Sequence, residues 1–150
     1  MIQIKNEVYI KLINIPVTEY EIGGIIGEKN NIICDVCFDK STPNYNMGIY
    51  KANTEYLNKK IEEWQNNSIN FCGIFHTHTD KSKSLSKGDI ETIKAIMKDL
   101  PNDIDKLYFP LILPKDKLYL YSAKIKNNTV KIYSEKYKIT GGEEDEQNRT

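Results

Sequence analysis

The chain has 150 residues, with 21 basic and 21 acidic side chains, three cysteines and only two histidines, the size of one domain built around one core. A hydrophobic fraction of 39% excludes a wholly disordered chain, and zero net charge argues against a nucleic-acid binder held by phosphate contacts. No apolar run reaches the roughly 18 residues that span a bilayer, and the start lacks a basic end followed by an apolar stretch, so the expectation is a cytoplasmic protein with no membrane partner.

Residues 1–140 read as one continuous body without repeats or low-complexity blocks. Ile2 to Ile4 alternates like an edge strand, and Val8, Leu12 and Ile15 fall at helical spacing before Pro16 stops the run. Glu21 to Gly27, a turn at Glu28-Lys29-Asn30-Asn31, and Ile32 to Phe38 predict a hairpin. Asp39 to Gly48 is polar, contains a proline and is expected to be a loop. Thr54, Leu57, Ile61 and Trp64 repeat with helical period, which predicts an amphipathic helix over Lys51 to Asn66. Ile69 to Phe75 is a compact apolar strand, followed by a Lys/Ser-rich loop over Asp80 to Leu85. Ile90, Ile93, Ile96, Met97 and Leu100 then predict a second helix, ended by Pro101. Leu107 to Leu113, Leu118 to Ile125 and Thr129 to Tyr133 read as strands, the last two joined at Asn127-Asn128. The order predicts an α/β (α+β) domain over 1–140, a curved mixed β-sheet flanked by two main helices.

Residues 141–150, GGEEDEQNRT, carry a net charge of −3 and leave residues 1–140 at +3. An acidic, disordered tail on a mildly basic body is the expectation. Its Gly141-Gly142 reads as a linker or flexible terminus, with self-cleavage there as the sharper alternative. Arg149 is the only arginine, so the folded part has no guanidinium for bidentate phosphate recognition. Cys34 and Cys37 form a C-x-x-C within an expected strand, where positions three apart face opposite sides and cannot share a metal. With Cys72 they read as small buried side chains.

Both histidines lie in one tripeptide, His76-Thr77-His78, at the end of an apolar strand. Strand positions i and i+2 share a face about 6–7 Å apart, so the two imidazoles can converge on one metal while Thr77 faces away. A metal-free core would need a separate hydrogen-bond partner for each ring. Ser86-Lys87-Gly88-Asp89 opens the second helix as a near relative of a capping box, an ordinary structural device. The same cap holds the Asp89 carboxylate on the first turn, available as a third ligand if the loop folds back. Two histidines and a carboxylate, with a fourth position left for water, make a catalytic rather than a structural zinc set. An acid to activate that water should come from another element. Glu21, at the head of Glu21-Ile22-Gly23-Gly24, is the best placed, although alone it reads as an exposed residue before a glycine-bearing strand. The two glycines allow close approach of another backbone or of a substrate peptide.

Glu21 in a Glu-x-Gly-Gly strand start, then Gly73-Ile74-Phe75-His76-Thr77-His78, seven residues, and Ser86-Lys87-Gly88-Asp89, together resemble the JAMM/MPN metalloprotease family, over about residues 1–135. The resemblance implies an MPN (cytidine-deaminase-like) fold. It implies one catalytic Zn²⁺ bound by His76, His78 and Asp89. Glu21 would act as general base on the attacking water and then protonate the leaving amine, and Ser86 would position that water and stabilise the developing oxyanion. Many relatives carry Ser and Pro where this chain has Thr77 and Thr79; Thr77 should point away from the metal, and the loop after His78 should gain mobility without the rigid φ of proline.

The short chain resembles the compact prokaryotic, deubiquitinase-like branch. The implied function is a zinc-dependent isopeptidase or peptidase that cuts after the C-terminal glycine of a ubiquitin-like protein, maturing a precursor or removing a modifier. Partners implied are a ubiquitin-like or sulfur-carrier protein with a Gly-Gly end, with activating and conjugating enzymes in a bacterial conjugation or antiphage-defence setting. The extended tail would dock by strand addition, with 39–48 and 79–85 as walls. Hydrolysis of a sulfur-carrier adduct is the alternative, and a non-catalytic MPN scaffold the second.

Overall fold

Two Asn-Asn pairs set the two tightest hairpins among the described residues. In the computed structural model, which describes residues 1–40 and 52–141, Asn30 and Asn31 have φ of 55° and 65°, and Asn127 and Asn128 have 54° and 61°. Positive φ at both central positions is the two-residue turn whose twist matches that of the strands it joins. The first pair joins β2 (Gly23–Lys29) to β3 (Ile32–Phe38), and the second joins β6 (Lys117–Lys126) to β7 (Thr129–Glu135). The remaining strands are β1 (Ile2–Lys5), β4 (Asn70–Thr77), β5 (Lys106–Leu113) and β8 (Tyr137–Thr140).

The eight strands form one sheet in the order β7-β6-β5-β4-β2-β3-β1-β8. β1 runs parallel to β3 and β8, and β4 parallel to β5; the other neighbours are antiparallel. This is the mixed α+β architecture expected. β1 is not an edge, however, because β8 pairs along its outer side. Nothing local announces a four-residue strand whose partner lies more than 130 positions earlier; Tyr137 fixes it by donating its hydroxyl to the Leu118 carbonyl at 2.7 Å.

Among the described residues three helices cover the sheet: the two main ones expected and the short one whose spacing shows before Pro16. α1 (Asn6–Ile13) buries Val8 and Leu12 against one face with Ile4, Ile33 and Leu118. α2 (Thr54–Asn66) buries Leu57 and Trp64, and α3 (Lys87–Lys98) buries Ile93 and Met97. Phe71 and Ile74 of β4 pack in both of their clusters, which places α2 and α3 on the face opposite α1. The helices begin where their caps are. Asn53 accepts a hydrogen bond from the Tyr56 N–H, so α2 starts at Thr54 and not at Lys51.

A bulge in β4 orients the site. Ile26 pairs with Gly73 and Gly27 with Phe71, which leaves Cys72 as the extra residue. Alternation is reset there: Phe71 and Ile74 both face α2 and α3, and Phe75 packs in the α1 cluster. Continuing from Ile74, His76 falls on the α3 side. The β4–α3–β5 crossover then brings the first turn of α3 back over the carboxyl end of β4, the edge of a parallel pair where ligands are usually held.

The cysteines behave as expected: all three are free, with Cys72 and Cys37 buried and Cys34 half-buried. Cys37 packs with α2 near the Tyr56 hydroxyl at 3.9 Å. Burial pushes the Cys72 thiol well above its ordinary pKa, away from reactivity. Among the described residues no helix is long and apolar enough to cross a membrane. Of the loop expected over Asp39 to Gly48, residues 41–48 lie outside the described residues, as do residues 142–150 of the tail expected over 141–150.

Candidate metal centre

His76 and His78 stand at the last turn of strand β4 and just beyond it, with ring centroids 5.0 Å apart. The His78 N–H donates to the Ile112 carbonyl at 3.1 Å, which continues the sheet for one more residue and keeps the second imidazole on the first one's face. Thr77, between them, is buried and points the other way as expected. It does more than face away. Its N–H donates to the Ile22 carbonyl, and its hydroxyl accepts the Ile22 N–H, both at 2.8 Å. The residue next to Glu21 is thereby clamped to the residue between the histidines, and one ligand-type nitrogen of each ring and a Glu21 carboxylate oxygen all lie within 4.8 Å of one another. Glu21, His76 and His78 therefore form a group that could hold a metal ion.

Asp89 arrives from α3. Ser86 caps the helix, its hydroxyl accepting the Asp89 N–H at 3.0 Å while the Ser86 N–H donates to Asp89 Oδ2 at 2.8 Å. This closed capping box fixes the carboxylate against the strand end. Oδ2 is 2.8 Å from His78 Nε2, and Oδ1 is 3.2 Å from His76 Nε2. The structure thus brings together all five sequence-predicted residues. Ser86 uses its oxygen only as an acceptor in the cap, so its O–H remains a donor.

Two features of the donor set suit a cation. His76 Nε2 is buried and, despite its closeness to Asp89, has no hydrogen-bond partner. Such orphans are uncommon in native cores and mark places where another atom belongs. His78 Nδ1 lies 2.8 Å from the Ser82 carbonyl, which can only accept, so the proton sits on Nδ1 and the Nε2 lone pair of a neutral ring would face the Asp89 carboxylate. Without a cation between them a proton must occupy that contact, on Nε2 or on the carboxylate. The electrostatics agree: burial alone would lower the His78 pKa, but the bonds with Asp89 and the Ser82 carbonyl hold it above its ordinary value. Burial would likewise raise Asp89, yet the two imidazoles and the Ser86 N–H hold it well below the usual carboxylate range.

A cleft of about 380 Å³ opens on this group, lined by Glu21, His76, Ser86 and Asp89 and walled by Ile74, Ile93, Ile96 and Phe109. Of the walls expected over 39–48 and 79–85, residues 41–48 lie outside the described residues. Thr79 and Lys81 line a second cleft of about 390 Å³ with His78, Val17 and Thr18. The apolar walls were not visible in the sequence, because Ile93 and Ile96 belong to the α3 stripe and read simply as core. At Gly24 the room for close approach is taken by the fold itself: a Cβ there would lie 2.1 Å from the Cys37 carbonyl and 2.7 Å from the Phe75 ring.

No family model and no curated protein matches this sequence. Among solved structures, protein DSY2949 from Desulfitobacterium hafniense is similar over 95% of this chain and 94% of its own, with a TM-score of 0.61 at 16% identity. At that identity the likeness concerns the fold alone.

Proposed function

We propose that this chain is a zinc-dependent isopeptidase or peptidase of the JAMM/MPN type, acting after the C-terminal glycine of a ubiquitin-like protein. The observation that carries the reading is the convergence of Glu21, His76, Ser86 and Asp89 on one cleft, with His78 behind them against Asp89, around a buried imidazole nitrogen without a hydrogen bond. His76, His78 and Asp89 would hold the ion, and zinc there supplies a Lewis acid that polarises the scissile carbonyl and makes water acidic enough to attack at neutral pH.

The rest is the work of the chain's own groups. Glu21, clamped through Ile22 and Thr77, accepts a proton from the attacking water and returns it to the departing amine. The Ser86 O–H donates to the carbonyl oxygen as negative charge develops on it. Ile74, Ile93, Ile96 and Phe109 keep water away from the acyl side and receive the extended tail. No side-chain nucleophile is required, which leaves the three cysteines outside the chemistry.

Purified, zinc-loaded protein should cleave a fusion in which a reporter follows the Gly-Gly end of a ubiquitin-like protein. Glu21→Gln is expected to lower the rate by about 10²–10⁴-fold, and a chelator to abolish it; cleavage undiminished in Glu21→Gln would overturn the mechanism. Preference for a sulfur-carrier fusion would move the substrate to that class. Failure to bind near-stoichiometric zinc would favour a non-catalytic scaffold.

A further inference from the structure

We infer that Tyr121 is a positioning residue for His78, acting through the backbone of the segment 79–85; the inference rests on the metal-centre reading above. A histidine ligand presents one nitrogen to the ion only if something holds the other. Here the holder is the Ser82 carbonyl, 2.8 Å from His78 Nδ1. A carbonyl belongs to no side chain, so its place depends on what fixes the segment.

Part of the answer is local. Asp80 accepts the Ser82 N–H at 2.9 Å, and the Ser82 hydroxyl lies 3.3 Å from the Ser84 carbonyl. Lys81 has φ of 61°, a left-handed conformation that a lysine does not favour and that its surroundings must impose. None of this ties the segment to the sheet. Tyr121 does. From β6, 38 residues away in sequence, its hydroxyl donates to the Lys83 carbonyl at 2.9 Å. Its ring packs in the same cluster as Leu85, beneath α3.

The Lys83 and Ser82 carbonyls belong to adjacent residues. One is held by Tyr121 and the other holds His78, so the hydroxyl of a residue outside the cleft sets the angle of the imidazole. The segment after His78, which lacks the rigid φ of a proline, makes hydrogen bonds to Asp80, His78 and Tyr121.

Tyr121→Phe keeps the ring and removes only the donor, so its effect on packing is small. We expect it to bind zinc about tenfold more weakly than the natural chain in a chelator-competition titration, with an altered visible spectrum when cobalt replaces zinc. The metal-free melting temperature should stay the same. Tyr119→Phe, on the same strand, should bind as the natural chain does. In metal-free protein, the His78 Nδ1 proton should exchange with solvent faster in Tyr121→Phe. Unchanged zinc affinity together with unchanged proton exchange would overturn the inference, as would a lowered melting temperature with affinity intact, which would make Tyr121 a structural anchor alone. If the natural chain binds no zinc, the metal-centre reading falls, and the proton exchange of His78 still decides what Tyr121 does.

Discussion

At its amino end β4 passes between packed groups with no space to spare: a Cβ at Gly73 would stand 2.1 Å from the Tyr108 carbonyl, and one at Gly27 of the neighbouring strand 3.1 Å from the Trp64 ring. The polar group there is satisfied, since Trp64 Nε1 donates to Asp35 at 3.0 Å. At its carboxyl end the same strand delivers two imidazoles to two carboxylates, with one buried nitrogen left without a bond. The first arrangement is what stability selects, and the second is a group that could hold a metal ion. The contrast separates what holds the sheet together from what the sheet holds.

That contrast can be broken from either side. The largest stability effect should come from the amino end, where Trp64→Ala removes a side chain only 2% exposed and should cost ~3–5 kcal/mol in urea unfolding. Zinc affinity of the folded fraction should be unchanged. Thr77→Val links the two ends; it leaves the partly buried Ile22 N–H without its acceptor and should cost ~1 kcal/mol. Its turnover should fall while zinc affinity holds, because Glu21 and not the ligand set loses its anchor. A fall in both would place Thr77 with the ligands.

His76→Ala should reverse the pattern. It removes no hydrogen bond from Nε2 and only the 3.2 Å approach to Asp89, so metal-free stability should fall by about 1 kcal/mol. Zinc at a hundredfold over its dissociation constant should stabilise the natural chain by ~2.7 kcal/mol and this variant hardly at all. A strongly destabilised metal-free His76→Ala would mean that the ring serves the core.

The smallest effect is one of pH, in metal-free protein. Asp89 has a depressed pKa, so its stabilising contribution is present above its ordinary value of 3.8 and is lost as pH falls through the folded value. His78 has a raised pKa, and its contribution is present below its ordinary value of 6.5 and is lost as pH rises through the folded value. Both act together between those ordinary values, where the melting temperature should peak. Asp89→Asn should flatten the profile; an unchanged peak would show that other groups shape it.

Much of this was legible in the chain because the signals were local. The Asn127-Asn128 turn follows from residues that tolerate positive φ, and so does the first hairpin turn, which narrows from the expected Glu28-Lys29-Asn30-Asn31 to Asn30-Asn31 because Glu28 and Lys29 pair with β3; α2 and α3 follow from apolar residues at helical spacing. The Ser86–Asp89 cap also lies within one turn and formed as read. Less was legible wherever partners are far apart. β8 and the interior place of β1 rest on pairing across nearly the whole chain, and the link from Tyr121 to Lys83 joins residues 38 positions apart.

By itself the sequence determined which groups are available for chemistry: its only two histidines, placed at i and i+2, and a carboxylate held by a cap. Tertiary structure decided where they point. The bulge at Cys72 resets the alternation of β4, and the crossover carries Asp89 back to meet the imidazoles. Periodicity fixes which residues share a face, whereas which face it is, and what stands opposite, depends on strand register and packing that no local pattern encodes.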